Sequence, residues 1–325
     1  MFDVAELAQV SHQTVSRVVN NHPSIRPETK LRVEQAMAKL GYRPNLAARA
    51  LKTKRSKMLG ILASDTNLNG PASTVQAIEK AAREAGYFVV TCGINPSAEA
   101  EVLNAIEHLK LVGIEGLIVI TPHAETLKLA RTKLRVPVLT VDTDLHGDEL
   151  AVGMDNQAAA QTATNHLIEL GHKNILHIQG PANWIESIAR KAGYEKALKS
   201  YKLSSIVEVA DWSLEAGYEI GKNFDFEGKK VTAVFAASDH IAFGLIKALD
   251  ERGMQVPKDI SVVGFDDLPE AAYFGKGLTT VRQDFEQIGE RAIALLLAKL
   301  ELQELPTFTP IEPTLQVRAS TRKVN

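Results

Sequence analysis

Asp3-Val4-Ala5-Glu6-Leu7-Ala8-Gln9-Val10-Ser11-His12-Gln13-Thr14-Val15-Ser16-Arg17-Val18-Val19-Asn20 sets two short helical patterns end to end with almost no connector. That is how a helix-turn-helix looks in sequence. From Ser11 onward, Val15, Val18 and Val19 recur at helical spacing and are expected to bury against Val4, Leu7 and Ala8 of the preceding helix. This leaves His12, Gln13, Ser16, Arg17 and Asn20 on the outer face, with Ser11 as an N-cap.

Each outer residue can hydrogen-bond, and a Gln and an Arg one turn apart match the bidentate readers of adenine and guanine edges in a major groove. A small helix pair with a solvated polar face gives the same local pattern, so the flanking sequence has to decide. Pro27 and Glu28 suit a first helical turn, Val33, Ala36, Met37 and Leu40 form an apolar stripe, and Gly41 stands where a helix ends. Arg43-Pro44 then forces an extended step, and Asn45 to Leu51 begins a helix too short to be stable unaided. Charge supports a phosphate-facing head: before Met58, eleven Lys and Arg stand against four Asp and Glu, a surplus of seven positive charges. With a chain total of −2, the remainder carries −9, so a near-neutral chain combines a basic head with an acidic body.

The strings Asp3-Val4-Ala5, Val10-Ser11, Thr14 to Asn20, Leu40 to Asn45 and Ala48-Arg49-Ala50-Leu51 resemble the headpiece of the lactose-repressor/galactose-repressor family of bacterial transcription regulators, and the likeness runs along essentially the whole chain. The resemblance implies that His12, Gln13 and Arg17 read bases, and that Ser11, Thr14, Ser16 and Asn20 support reading or phosphate contact. It further implies that Asn45, Ala48 and Leu51 lie on a hinge helix, Leu51 acting as an apolar wedge in the minor groove; a linker leucine packed on the body is the plainer alternative. The N-terminus departs from the family pattern, which has several residues before this point and a Ser or Thr cap. Either Asp3 caps the first helix, with Glu6 completing a capping box, or the start lies upstream. The expected divisions are a headpiece over 1–44, a hinge helix and linker over 45–57, and an effector-binding and dimerisation body over 58–325.

The body reads without the family. Leu59-Gly60-Ile61-Leu62, Phe88-Val89-Val90, Leu117 to Ile120 and Val138 to Val141 are β-branched or apolar runs, separated by helical stretches at Ala77–Ala85 and Val102–Leu111. A second set follows with Ile175 to Ile178, Ile206 to Val209, Ala233 to Ala236 and Ile260 to Val263. This βαβ rhythm predicts parallel sheets covered on both faces, and the length predicts two lobes with a cleft between them. The resemblance makes this bilobal α/β body periplasmic-binding-protein-like.

Ligands in such sheets sit at the carboxyl ends of strands. Asp142 closes the fourth run, Ser238-Asp239 follows Ala236-Ala237, and Asp266-Asp267 follows Val263-Gly264-Phe265. Arg190, Trp212 and Gln283 complete a candidate effector site, since carboxylates and an Arg grip vicinal hydroxyls and an indole covers the apolar face of a sugar ring. Each has a plain alternative: Asp142 and Asp266 as turn residues, Ser238 or Asp239 as a helix cap, Trp212 as core, Arg190 in an internal ion pair. The resemblance gives Arg190-Lys191-Ala192-Gly193 and Val263 to Asp267 effector contacts, and the triplet Asp211-Trp212-Ser213 favours a galactoside or related sugar. Ser238 in place of a frequent Asn, and Met154 in place of a frequent aromatic, leave the ligand open.

Other features exclude. Cys92 is the only cysteine, so neither a disulfide framework nor a thiolate metal cluster arises within the chain. His108, His166, His172 and His177 fall where a helix surface, helix end or strand explains them, so no metal site and no cofactor are expected. No Gly-rich phosphate loop or nucleophile elbow points to an enzyme. There is no apolar signal core or membrane-length run, so the cytoplasm is the expected compartment. The expected partners are double-stranded DNA with a pseudo-palindromic operator, a sugar effector, and a second copy in a homodimer, the terminal segment Ser320 to Asn325 having no leucine heptads for a tetramer. A sugar receptor without gene control uses the same body but has no need of Ser11 to Asn20.

Overall fold

The computed structural model describes residues 1–19, 22–42, 55–96, 98–121, 123–141, 149–309 and 311–324. The chain divides into two compact units, Met1–Lys57 and Met58–Asn325. The first holds three helices, α1 (Phe2–Leu7), α2 (His12–Val19) and α3 (Pro27–Lys39). Val4, Ala5, Ala8, Val15, Val18, Val33 and Ala36 form its small core, with Met37 and Tyr42 packed against it. Leu7 and Leu40, expected inside, are 42% and 47% exposed. Ala5 takes the inward place on α1, because a six-residue helix presents only one narrow stripe and Val4, Ala5 and Ala8 fill it. Asp3 does not cap: Met1 occupies the N-cap position, no side chain caps it, and Asp3 lies in the first turn. Gly41, at φ +58°, ends α3 in the left-handed conformation that glycine tolerates.

The second unit begins with β1 (Met58–Ser64), α4 (Asn69–Glu84), β2 (Phe88–Ile94), α5 (Glu99–Val112), β3 (Gly116–Ile120), α6 (Ala124–Lys133), β4 (Val138–Val141) and β5 (Ala151–Val152). It continues with α7 (Asn156–Glu169), β6 (Ile175–Gln179), α8 (Ile185–Ser200), β7 (Ile206–Val209), α9 (Leu214–Asn223), β8 (Ala233–Ala236), α10 (Asp239–Glu251) and β9 (Ser261–Asp266). A 3-10 turn (Pro269–Ala272), β10 (Thr279–Arg282), α11 (Phe285–Leu300) and β11 (Thr314–Gln316) complete it.

The strands form a five-stranded sheet, β2-β1-β3-β4-β5, and a six-stranded sheet, β11-β10-β9-β8-β6-β7. Every pairing is parallel except β10 with β11. Strand periodicity sorts the first sheet's side chains onto two faces. Leu59, Ile61, Ala63, Ile118 and Ile120 pack with Ile78 and Ala82 of α4 and Ile288, Ala292 and Leu296 of α11. Leu62, Leu117 and Val119 point the other way, onto Val102, Ile106 and Leu109 of α5. In the second sheet Leu176, Ile178, Val234 and Val262 face α10, while Ile175, Phe235, Val263 and Phe265 face α7 and α8. Each buried Val, Leu, Ile or Phe among these contributes roughly 1.5–3 kcal/mol, so both lobes have a core that any opening between them leaves intact.

The division between lobes does not follow sequence order. The chain passes to the second lobe before α7, returns to cover the first sheet with α11, and goes back to pair β11 with β10. The apolar face of α11 fits the α4 side of the first sheet, where Gly289 sits against the Ala77 backbone and Gly116 under Leu296. Likewise α4 starts at Asn69 and not Ala77, Pro71 being tolerated in a first turn where no N–H is required.

Candidate functional site

On the head, Ser11 Oγ accepts the Thr14 N–H at 3.1 Å and lies 2.9 Å from Thr14 Oγ1, a side-chain cap at the start of α2. Burial of Val15 and Val18 turns Ser11, His12, Gln13 and Arg17 to solvent, with Thr14 and Ser16 half-buried. The His12 ring stacks on Phe2, centroids 4.7 Å apart, a contact that sequence reasoning missed because Phe2 precedes the helical pattern. Asn20, Asn45, Ala48 and Leu51 lie outside the described residues.

In the body, both sheets direct their carboxyl ends to one cleft enclosing about 720 Å³ of non-atom space, its open mouth included. The first sheet reverses direction of growth at β1/β3 and the second at β6/β8, the switch points where loops diverge and leave room for a ligand. From the first lobe come Ser64 at the end of β1, Thr121 just after β3, and Leu68, Asn69 and Pro71 at the start of α4; Ser64 Oγ donates to Thr121 Oγ1 at 3.3 Å. From the second lobe come Trp184, Glu186, Arg190, Trp212, Ser238, His240, Asp266 and Gln283. Thus Arg190, Trp212, Ser238, Asp266 and Gln283 meet around one cavity, while Asp142 lies outside the described residues.

Arg190 is 5% exposed and held on several sides. Its Nε donates to Asn156 Oδ1 at 2.9 Å, its Nη1 donates to the Ala237 carbonyl at 2.6 Å, and its guanidinium carbon lies 3.7 Å from the Phe265 ring centroid. Asp266 Oδ1 stands 3.9 Å from Arg190 Nη1 and accepts the Gln283 amide at 2.6 Å. Burial raises the Asp266 carboxyl above the ordinary carboxylate range, against the pull of the Arg190 charge and the Gln283 hydrogen bond. Asp266 also has φ +117°, a conformation that L residues rarely adopt, so local strain accompanies its aim into the cleft. Its neighbour Asp267 is structural, accepting Arg318 Nη2 at 2.6 Å and Arg282 Nε at 2.7 Å.

The plain alternatives hold alongside these placements. Ser238 caps α10, accepting the Ile241 N–H at 3.3 Å, and Trp212 packs on the second lobe's apolar cluster while also lining the cleft. Asp239, beneath them, accepts Thr280 Oγ1 at 2.6 Å and the Leu268 N–H at 2.8 Å. Burial, and next the Asp266 charge, push its pKa up to about 8. Gly193, expected among the effector contacts, instead lets α8 approach α7: a Cβ there would run into the Gln157 carbonyl oxygen. Sequence reasoning also passed over Ser64, Thr121 and Asn156; the first two carry the strand-end signal that was applied only to charged residues.

Family comparisons cover both units. Residues 1–45 match the model of bacterial regulatory proteins of the lacI family, and residues 164–321 match that of the periplasmic binding protein-like domain. The lactose operon repressor of Escherichia coli (strain K12) is 33% identical over 300 residues, which are 91% of this chain and 83% of that protein. The chain belongs to the lacI family. Another lacI-family relative, the ribose operon repressor of Halalkalibacterium halodurans, is 32% identical over 98% of this chain and 96% of its own length. A crystal structure of the lac repressor dimer bound to operator and the anti-inducer ONPF matches with a TM-score of 0.87 at 32% identity, covering 98% of both chains. As a lacI-family protein, this chain is a DNA-binding transcriptional repressor with a helix-turn-helix headpiece and a two-lobed effector-binding body, not an enzyme.

Proposed function

We propose that the repressor's operator affinity is switched by a sugar, a galactoside in the first instance, bound in the interlobe cleft. The observation that carries this is the cleft floor: a buried guanidinium, a carboxylate and a carboxamide set side by side, with an indole lining the same cavity. Arg supplies fixed donors and Asp acceptors, as vicinal hydroxyls require, while the indole suits the C–H face of a pyranose. The names of the lactose and ribose operon repressors support a sugar without choosing one.

In this reading two copies form a homodimer, and Ser11, His12, Gln13, Thr14, Ser16, Arg17 and Asn20 of each headpiece engage one half-site of a pseudo-palindrome. Residues 45–57 act as the hinge, with Asn45, Ala48 and Leu51 at the minor groove, and Asp142 joins Arg190, Trp212, Ser238, Asp266 and Gln283 around the sugar. A ligand changes operator affinity only by as much as it discriminates between two body conformations, and a site built from both lobes discriminates between open and closed clefts. The family resemblance suggests induction, the sugar loosening operator binding, with a corepressor response as the alternative.

The test is fluorescence-anisotropy binding of the full chain to a palindromic, lactose-operator-like duplex, with galactosides, glucosides and purines added. Wild type binds tightly and a galactoside releases it; Arg190→Ala and Asp266→Asn bind DNA normally and ignore the sugar. Normal release of both variants would remove the cleft floor from the effector site, and release by a purine alone would replace the sugar reading.

A further inference from the structure

We infer that Phe2 is a positioning residue for base recognition: stacked on His12, it holds the imidazole edge-on so that a ring N–H reads N7 of a guanine in each half-site. The inference rests on the reading of His12 as a base reader. The two rings lie with centroids 4.7 Å apart and planes at 23°. Burial does not account for a phenyl group at this place, because Phe2 is 76% exposed and stands outside the apolar cluster of the headpiece. Its neighbours Met1 and Val4 do join that cluster, so α1 turns Phe2 away from the core and onto the His12 ring.

The surrounding structure fixes the His12 backbone and leaves only the side chain to be set. Val4 and Ala5 of α1 pack with Val15 and Val18 of α2, which holds the two helices against each other. The Ser11 cap on the Thr14 N–H fixes the first turn of α2, in which His12 is the first helical residue. The terminal torsion of an imidazole is broad, so an unsupported ring samples many directions. Phe2 covers one face and removes much of that freedom before DNA arrives, which spares binding the cost of ordering the side chain. A ring covered on its face offers its edge, and His12 is exposed, so that edge is open to a partner.

The chemistry of the edge selects the base. An imidazole carries at least one N–H donor in either protonation state, and its two nitrogens point apart, so it addresses one acceptor at a time. In the major groove guanine presents N7 with a second acceptor, O6, beside it and no donor. Adenine sets an amino group beside N7, thymine a methyl beside O4, and cytosine offers a donor. A single aimed N–H therefore gains most at guanine, and the start of a recognition helix is where side chains meet base edges.

Selection of the full-length protein on palindromic duplexes with randomised half-sites, followed by fluorescence-anisotropy titration, tests this. Wild type is expected to prefer guanine about tenfold at one half-site position and to lose that margin when 7-deazaguanine replaces it there. His12→Ala should erase the preference at that position alone. Phe2→Ala, and Phe2→Leu, which keeps apolar bulk without a stacking face, should each cut it to about threefold or less, and Phe2→Tyr should retain it. Added to His12→Ala, Phe2→Ala should change nothing further at that position. A guanine preference that survives in Phe2→Ala and Phe2→Leu, or a loss of affinity uniform over all positions, as plain destabilisation of the headpiece gives, would overturn the positioning role. A His12-dependent position that favours another base, or tolerates 7-deazaguanine, would overturn the guanine assignment and leave His12 a base reader. Specific binding that His12→Ala leaves unchanged at every position would remove His12 from the readers and overturn both.

Discussion

Asp239 and His177 show how single buried groups set the pH response of the second lobe. Asp239 is fully buried, and its carboxyl titrates at about 8 because burial and the nearby Asp266 charge both oppose ionisation. Between its ordinary value near 3.8 and about 8, the folded protein keeps a proton that the unfolded chain has lost, so stability falls as pH rises through that window and levels off above it. His177, stacked on Phe235 with its Nδ1 3.0 Å from the Phe235 carbonyl, is pushed down to about 4, chiefly by burial. It acts with the opposite sign: between 6.5 and about 4 the unfolded chain gains a proton that the fold refuses, and stability is lost as pH falls. The two effects oppose each other below 6.5, whereas between 6.5 and 8 the raised Asp239 carboxyl still lowers stability as pH rises. Asp239→Asn, whose amide donates to Thr280 Oγ1 while its oxygen accepts the Leu268 N–H, should therefore flatten that interval. Urea midpoints are expected to show a wild-type slope of up to about 1.4 kcal/mol per pH unit that disappears in the variant; equal slopes in both proteins would refute the assignment.

At the scale of elements, the strands were the most legible part. Ile175–Gln179 and Ala233–Ala236 lie where the apolar runs put them, because strands buried on both faces read as continuous hydrophobic stretches, and Ile206–Val209, partly exposed at the sheet edge, lies where its β-branched run put it. β5, β10 and β11 were not legible, being short or rich in Thr and polar residues, and they gain their pairing only from neighbouring strands already in place. The Arg190 to Gly193 string was legible as a functional motif but not as two separate jobs. Arg190 faces the cleft, while Gly193, one turn on, sets the distance between α8 and α7. Asn156, the first residue of α7, orients Arg190, so helix spacing and guanidinium position are mechanically linked. Gly193→Ala should push the helices apart, lowering stability by about 1–3 kcal/mol and weakening effector binding in the same variant. Chemical denaturation and effector titration read the two effects; a stability loss with unchanged effector affinity would show that α7 does not position Arg190.

Across the whole molecule, charge separates two recognition tasks that sequence alone already distinguished, a surplus of seven positive charges before Met58 and −9 after it. The cleft was legible as a set of strand-end residues, since parallel sheets place ligands there whatever the family, but its first-lobe wall of Ser64, Leu68 and Thr121 was not, because no charge marks it. Trp184 was equally invisible, as an indole at a helix start carries no motif. The charge split makes a quantitative demand on the two binding events. Operator affinity rests on phosphate neutralisation and counterion release, so it should fall about a thousandfold or more between about 50 and 200 mM salt, while a neutral sugar in the cleft should bind almost independently of salt. With Arg17 in the proposed role of base reader, Arg17→Ala should weaken operator binding by at least ~1 kcal/mol at every salt concentration and leave the slope of log K against log salt nearly unchanged. Anisotropy titrations across that salt range separate the roles: a parallel downward shift keeps Arg17 among the base readers, whereas a shallower slope reassigns it to the phosphates, and an unchanged curve removes it from the interface.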